Sequence, residues 1–487
     1  MCSRATVVLA VLLGLTLFTV PASAASESID STRLRDALTV SGIREHQRAL
    51  QSIADANNGT RASGTAGYQA SADYVRDRLV AAGYQVVVQS FQFPFFAELA
   101  PPVLRRENSN ARAYQPVTQV KVLEFSGSGD VTAPIQPVDV TLPPAPAPSS
   151  TSGCELTDFA AFTKGNVALL QRGTCPFADK ARNAQLAGAS AVIIFNEGQP
   201  HRRDVVSGRL AQNGTVDIPV LGTSFTVGAE LAEAVGGPVQ VVTHTTAGLR
   251  DTVNVIADSP TGRDDRVVVV GAHLDSVVEG PGINDNGSGT AAILEIAEQL
   301  AALRIEPRNT LRFAFWGAEE LGLLGSRYYV ATLPPEQRSH IAVNLNFDML
   351  GSPNFVNFVY DGDGSSSLPA GPPGSGPVEQ VFIDYFAAQR LAAVPTPFTG
   401  RSDYGPFVEV GIPAGGLFSG AEGIKTPEQA AQFGGTAGLP YDSCYHKACD
   451  TVDNVNEPAL DQLGDAAGHA VLTFALTTSE IPAGPRR

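Results

Sequence analysis

From Thr252 onward the chain repeats one pattern: a short, nearly unbroken apolar run, then a polar turn, then a stretch with helical character. The runs are Thr252–Ala257, Arg266–Ala272, Thr310–Trp316, Ala342–Phe347 and Phe355–Tyr360. Strands this apolar are expected to be covered on both faces, which is the situation of a parallel sheet between helices. Thr290–Leu303 supplies a helix, with Ile293, Ile296, Ala297 and Leu300 as its apolar stripe. The pattern therefore predicts an α/β fold with a mixed, mostly parallel central sheet flanked by helices. In such sheets ligands bind at the rim formed by the carboxyl ends of the strands. The histidines and acids of this half fall on that rim. His273 and Asp275 follow the run Val267–Ala272, Glu319 and Glu320 follow Phe315-Trp316, and Asp348 follows Asn344–Phe347. Asp285 lies in the turn Gly282–Gly289 that leads into the helix.

The preceding part of the chain reads differently. Gly67–Ala82 has helical spacing and Tyr84–Phe91 strand character, after which a Pro-rich piece, Phe93–Pro102, is expected to break the strand. Between Val117 and Thr246 lie short strand candidates, Val167–Gln171, Ala191–Asn196 and Ile218–Thr223, one helix candidate, Phe177–Ala187, and a loop at Pro143–Ser150. This is the pattern of a small β-rich domain inserted into a larger one. The expected division is 1–24 leader, 25–115 first part of the main domain, 116–248 insertion and 249–487 remainder of the main domain.

Met1–Ala25 carries Arg4, an apolar run from Ala5 to Val20 and a small-residue exit, Ala22-Ser23-Ala24. That is the layout of a secretory signal peptide, so the mature chain is expected to be secreted and extracellular, with no membrane span. Cleavage would remove Cys2, leaving Cys154, Cys175, Cys444 and Cys449. Three pairings are possible in an oxidising compartment; proximity favours Cys154–Cys175 with Cys444–Cys449, the latter closing a tight loop around His446. A four-cysteine zinc site lacks the paired C-x2-C spacing. The formal charge of −16 disfavours nucleic acid and anionic membranes as partners.

Two histidines and several carboxylates suit zinc. His273, Asp275, Asp285, Glu319, Glu320, Asp348 and His446 offer more ligands than one tetrahedral ion needs, and a carboxylate shared by two ions resolves the excess. Any one of these acids alone reads as a loop charge or helix cap; the set does not. His46, His201, His244, His340 and His469 lack such a context and read as surface or structural residues. Asn58, Asn213 and Asn286 begin sequons, and the last lies inside the candidate site turn. Gly282 and Gly287 are not followed by Lys, which excludes a P-loop.

The ordered motifs Ala272–Ser276, Asn284–Gly289, Gly317–Gly322, Asn346–Met349 and Tyr445-His446 resemble those of the M28 di-zinc aminopeptidases, of the secreted bacterial type. Gln171–Phe177, Lys180 and Ala187–Ala189 resemble a protease-associated (PA) domain. The resemblance implies the zinc exopeptidase fold and two Zn2+ per chain, with Asp285 bridging, His273 and Asp348 on one ion and Glu320 and His446 on the other. It implies Glu319 as general base, Asp275 as the carboxylate orienting a ligand histidine, and Tyr445 as donor to the oxyanion. Arg401, in Gly400–Asp403, together with Met349 and Phe418, matches substrate-side positions. The expected reaction is hydrolysis of the N-terminal peptide bond of peptides with a free amine, with apolar first residues such as Leu preferred, by a monomer. The alternatives are a glutaminyl cyclase-like or carboxypeptidase-type zinc enzyme, or a receptor-like, non-catalytic peptide-binding protein.

Overall fold

The computed structural model describes residues 29–107, 111–210 and 216–478. The signal peptide, Cys2, the Asn213 sequon and the Pro482–Arg487 tail lie outside the described residues.

Arg263–His273 forms the centre of the main sheet, and its apolar residues from Val267 to Ala272 are buried. Asn309–Trp316 and Ile341–Phe347 pair with it in parallel on either side, and Ala414–Phe418 adds a fourth parallel strand. Beyond these come Phe358–Tyr360, antiparallel, and Val394–Thr396, parallel to that one. On the opposite flank Asn309–Trp316 pairs antiparallel with the end of a long strand, Pro238–Asp258. Two layers of helix enclose the sheet. On one face Val40–Ala56, Ala66–Ala81, Gly287–Ala302, Ser375–Ala388 and Glu457–Leu476 pack into one large core. On the other, Tyr329, Val330 and Phe407 cover Trp316. Each buried Val, Leu or Phe of this core contributes on the order of 1.5–3 kcal/mol.

The helix Gly287–Ala302 is buried on nearly every side, and its N-cap is Asn286, whose side chain accepts from the Gly289 N–H. It starts directly at the candidate site turn, so its packing fixes that turn. Ala66–Ala81 is capped by Thr65, which accepts from Tyr68 N–H, and the strand Gln85–Arg106 follows.

The inserted domain has its own sheet. Gly129–Pro137, Val167–Gln171, Ala191–Phe195 and Val220–Thr223 run parallel, with Val120–Val122 antiparallel at the edge. The first half of Pro238–Asp258 pairs antiparallel with Gly129–Pro134, so one strand serves both domains.

The expected break at Phe93–Pro102 is corrected: Gln85–Arg106 is one strand, paired with Pro238–Asp258 along its length. The physical reason is position. Its second neighbour, Arg112–Ala113, reaches only Arg105 and Arg106, so Pro94, Pro101 and Pro102 lie along an otherwise open edge where a missing N–H is tolerated. Register shifts between Glu98 and Val103 absorb the Pro101-Pro102 pair. The expected strand Phe355–Tyr360 is shorter, Phe358–Tyr360.

Candidate metal centre

The parallel strands end on one rim, as the sequence pattern requires. His273 is the last residue of its strand, Glu319 and Glu320 lie in the turn after Trp316, and Asp348 follows Phe347. Asp285 enters from the turn before the Gly287–Ala302 helix, and His446 from the loop closed by the Cys444–Cys449 disulfide. Cys154–Cys175 forms the other expected bridge, in the inserted domain.

Asp285 organises the cluster. Its Oδ1 lies 3.3 Å from His273 Nε2 and its Oδ2 lies 3.2 Å from His446 Nε2. The Asp348 carboxylate is 3.4 Å from the same His273 nitrogen, and Glu320 is 3.0 Å from the same His446 nitrogen. Two groups of donors therefore face the two oxygens of a single carboxylate. Glu319 stands 4.0 Å from His273 Nε2, on the cleft side of the cluster. His446 alone is substantially exposed; His273, Asp285 and Asp348 are buried.

Four carboxylates in such proximity are unfavourable without a cation. Burial pushes the Glu319 carboxyl well above its usual range, and burial with the Asp285 charge raises Glu320 to about 7. Burial acts the same way on Asp285, but hydrogen bonds from the two imidazoles outweigh it and hold this carboxyl well below the usual range. Burial opposes the charge on His446, yet its hydrogen bonds to Asp285 and Glu320 raise it to about 10. Two buried oxygens, Glu320 Oε1 and Asp348 Oδ1, have no hydrogen-bond partner among the described residues. This set of imidazole nitrogens and orphaned carboxylate oxygens fits divalent metal.

Asp275 differs in detail from its expected part. His273 Nδ1 donates to the Asp275 backbone carbonyl at 3.1 Å, whereas the Asp275 carboxylate is 3.7 Å away. That carboxylate instead accepts from the Glu319 N–H at 3.2 Å. Tyr445 stacks on the His446 ring with centroids 3.8 Å apart, and Arg401 donates to its hydroxyl at 3.2 Å. Arg401 is also paired with Glu422 at 2.7 Å. Met349, Phe418, Arg401 and Tyr445 line a cleft with the cluster at its floor, completed by Tyr360, Pro397 and Tyr404. Its volume, about 160 Å³, is comparable to the ~150 Å³ that accommodates a benzene ring.

Sequence reasoning missed several residues that hold this arrangement. Ser402 donates to Asp348 Oδ2 at 2.6 Å and accepts from Asn346. Asp450 accepts the N–H groups of Asn284 and Asp285 at 2.8 and 3.0 Å, tying the disulfide loop to the bridging position. Arg61 is fully buried and donates to the carbonyls of Leu274, Pro281 and Gly282, joining the segment after His273 to the turn before Asp285. Only the Gly400–Asp403 segment carried a signal, for Ser402; the others act on backbone groups and leave none. Asn286 is fully buried, with its amide donating to the Phe347 carbonyl, so its sequon is closed to a glycan in the fold. His46 is a buried partner of Tyr74 and Glu295, and His469 contacts Ser31. Ala318, Met349 and His446 all adopt left-handed backbone, with φ of 53°, 55° and 56°. Strain of this kind is concentrated at functional sites.

Residues 254–471 match Peptidase family M28, and residues 132–231 match the PA domain. An aminopeptidase of Pseudomonas aeruginosa is 45% identical over 448 residues, which cover 91% of this chain and 82% of that one. Leucine aminopeptidase 2 of Trichophyton rubrum is 37% identical over 93% of this chain and 88% of its own. Among solved structures, a zinc aminopeptidase of Bacillus subtilis superposes with a TM-score of 0.65 at 26% identity, covering 91% of this chain and 97% of that one. An aminopeptidase from Aneurinibacillus sp. strain AM-1 gives a TM-score of 0.69 at 24% identity, covering 93% and 98%, a likeness of fold. With the family's fold, its rim of histidines and acids and relatives of this similarity along nearly the whole length, the chain belongs to peptidase family M28, as an aminopeptidase with an inserted PA domain.

Proposed function

We propose that this aminopeptidase is an exported zinc enzyme, with two ions per chain, that removes apolar residues such as Leu from the free N-terminus of peptides. The observation that carries the reading is Asp285, whose two oxygens face two separate histidine–carboxylate groups. His273 and Asp348 would hold one ion, Glu320 and His446 the other, with Asp285 shared. Zinc held there would supply a lowered pKa for bound water and polarisation of the scissile carbonyl.

The protein's own groups do the rest. Glu319 accepts the proton of the attacking water and delivers it to the leaving amine. Its N–H is fixed by the Asp275 carboxylate, which thereby orients the base. The Tyr445 hydroxyl, held by Arg401 as an acceptor, keeps its proton free to donate to the carbonyl oxygen as charge develops. The acidic floor, Glu319 and Asp348, suits a protonated α-amine. Met349, Tyr360 and Phe418 offer an apolar wall to the first side chain, and the leucine aminopeptidase relative agrees with that preference. The leader and the two disulfides support export.

Hydrolysis of leucine p-nitroanilide and of its N-acetylated form tests the reading. The free amine should be cleaved and the blocked compound should not. Equal rates on both would overturn it.

A further inference from the structure

The turn that carries Glu319 and Glu320 leaves its strand at Gly317 and enters the helix Leu324–Thr332, with Gly325 in that helix's first turn, and a single side chain holds both ends. Asn254 Oδ1 accepts from Gly317 N–H at 3.0 Å, and Asn254 Nδ2 donates to the Gly325 carbonyl at 2.9 Å. Asn254 is fully buried. The closure is tight: a Cβ on Gly325 would stand 2.3 Å from Asn254 Oδ1 and 2.3 Å from the Gly317 carbonyl oxygen. Within the closed turn, Ala318 N–H is taken by buried Ser63 at 2.7 Å and Glu319 N–H by Asp275, so each of the three successive N–H groups meets a buried side-chain acceptor. Ala318 is left-handed, its carbonyl accepts from Leu324 N–H at 3.0 Å and the Glu319 carbonyl accepts from Gly322 and Leu323 N–H at 2.8 Å, so the turn closes on itself while the three side-chain acceptors anchor its root.

We infer that Asn254 is a positioning residue for catalysis: by clamping Gly317 to Gly325 it sets where the Glu319 carboxylate stands above the centre. The inference rests on Glu319 being the general base. Asn254 lies on the strand Pro238–Asp258 that returns from the inserted domain, so the same strand that joins the two domains also places the base. The wall at Met349 and Phe418 comes from other strands, so the clamp leaves the contacts to the first side chain of the substrate in place and acts mainly on turnover through Glu319.

The test compares Asn254→Asp, Asn254→Ala and Gly325→Ala with Gln89→Ala in the zinc-loaded enzyme. Asn254→Asp keeps the volume and the acceptor for Gly317 but faces the Gly325 carbonyl with an oxygen. Gly325→Ala strains the clamp from the turn side. Gln89→Ala removes the third partner of Asn254, 3.0 Å from Nδ2, without touching the turn. A displacement of ~1 Å costs on the order of 10²-fold. The expected result is kcat for leucine p-nitroanilide down roughly 10- to 100-fold in the first three variants and KM within about twofold, with thermal midpoints lowered, most in Asn254→Ala and Gly325→Ala, but the protein still folded at the assay temperature. Gln89→Ala should keep the wild-type kcat. Asn254→Asp with wild-type kcat overturns the inference, as does loss of folded protein in place of loss of kcat, which would assign Asn254 to stability alone. Glu319→Gln separates the two readings. If it stays active, the base assignment fails; if it is inactive while Asn254→Asp is fully active, only the positioning role fails.

Discussion

Arg61 and Lys180 show how much a single buried cation can organise. Among the described residues Arg61 has no carboxylate in hydrogen-bond contact; its donors go to three carbonyls on either side of the site turn. Burial lowers its pKa, against the pull of Asp275, to about 10, so it remains a cation at neutral pH. Arg61→Met would orphan the Leu274 and Pro281 carbonyls, the Gly282 carbonyl keeping the Gly287 N–H, at about 1–3 kcal/mol each, and should lower the urea midpoint by the equivalent of about 2 kcal/mol or more. Arg61→Lys, a point charge without the planar fork, should recover only part of it. In the inserted domain Lys180 is fully buried against the Ser152 carbonyl and the Cys154 sulfur. Burial depresses its pKa from 10.5 to about 8. The unfolded chain therefore holds this proton more tightly than the fold does, and stability rises with pH between about 8 and 10.5 as the cost of burying the charge is relieved. Below pH 8 that cost is fully present. Lys180→Met removes this dependence, so its stability relative to wild type should fall by the order of 3 kcal/mol across the window. Unfolding of both proteins at pH 7.5 and pH 10.5 measures it, and a constant difference would contradict it.

At the scale of elements, the clearest signals were those with a local cause. Val167–Gln171 is a strand as read, and the Phe177 helix ends one residue earlier than expected. The apolar runs of the main sheet are strands because nothing else buries Val267–Val270 on both faces. Phe93–Pro102 misled because a proline's effect depends on which side of the strand is open, and pairing is not visible in the local sequence. The same limit hides Asn254, Arg61 and Asp450, whose partners are backbone groups brought near only by the fold. His446 was legible through its adjacent Tyr445 and flanking cysteines. Its loop has little regular structure, and three devices hold it: the disulfide, Asp450, and Asp442, which accepts from Cys444 N–H at 2.7 Å. Replacing Cys444 and Cys449 with Ser should free the loop and weaken the metal site that includes His446, while leaving the other site intact. Zinc titration should show one of two binding steps weakened at least about tenfold, the range seen when support for a metal ligand is removed. Two unchanged steps would show that Asp442 and Asp450 suffice.

Across the whole molecule, one sheet path runs through both domains, with Pro238–Asp258 shared between them. The insertion is thus joined to the main domain by hydrogen-bonded strands and not by a flexible tether. Next to the shared strand, Phe93 and Phe95 pack on Ala318, Leu321 and Leu324 beside the turn that carries Glu319. From the inserted domain Arg209 reaches the Leu321 carbonyl at 3.5 Å. No helix among the described residues is long and apolar enough to cross a membrane. The central claim is that Asp285 joins two metal positions and that Glu319 works upon them as the base. The most direct measurement is zinc titration of chelator-stripped wild type and Glu319→Gln, following bound metal and leucine p-nitroanilide turnover together. Both proteins should bind about two ions, and wild-type turnover should rise with occupancy, whereas Glu319→Gln should be slower by about 10²- to 10⁴-fold. Full turnover by the stripped wild type, or by zinc-loaded Glu319→Gln, would contradict the account.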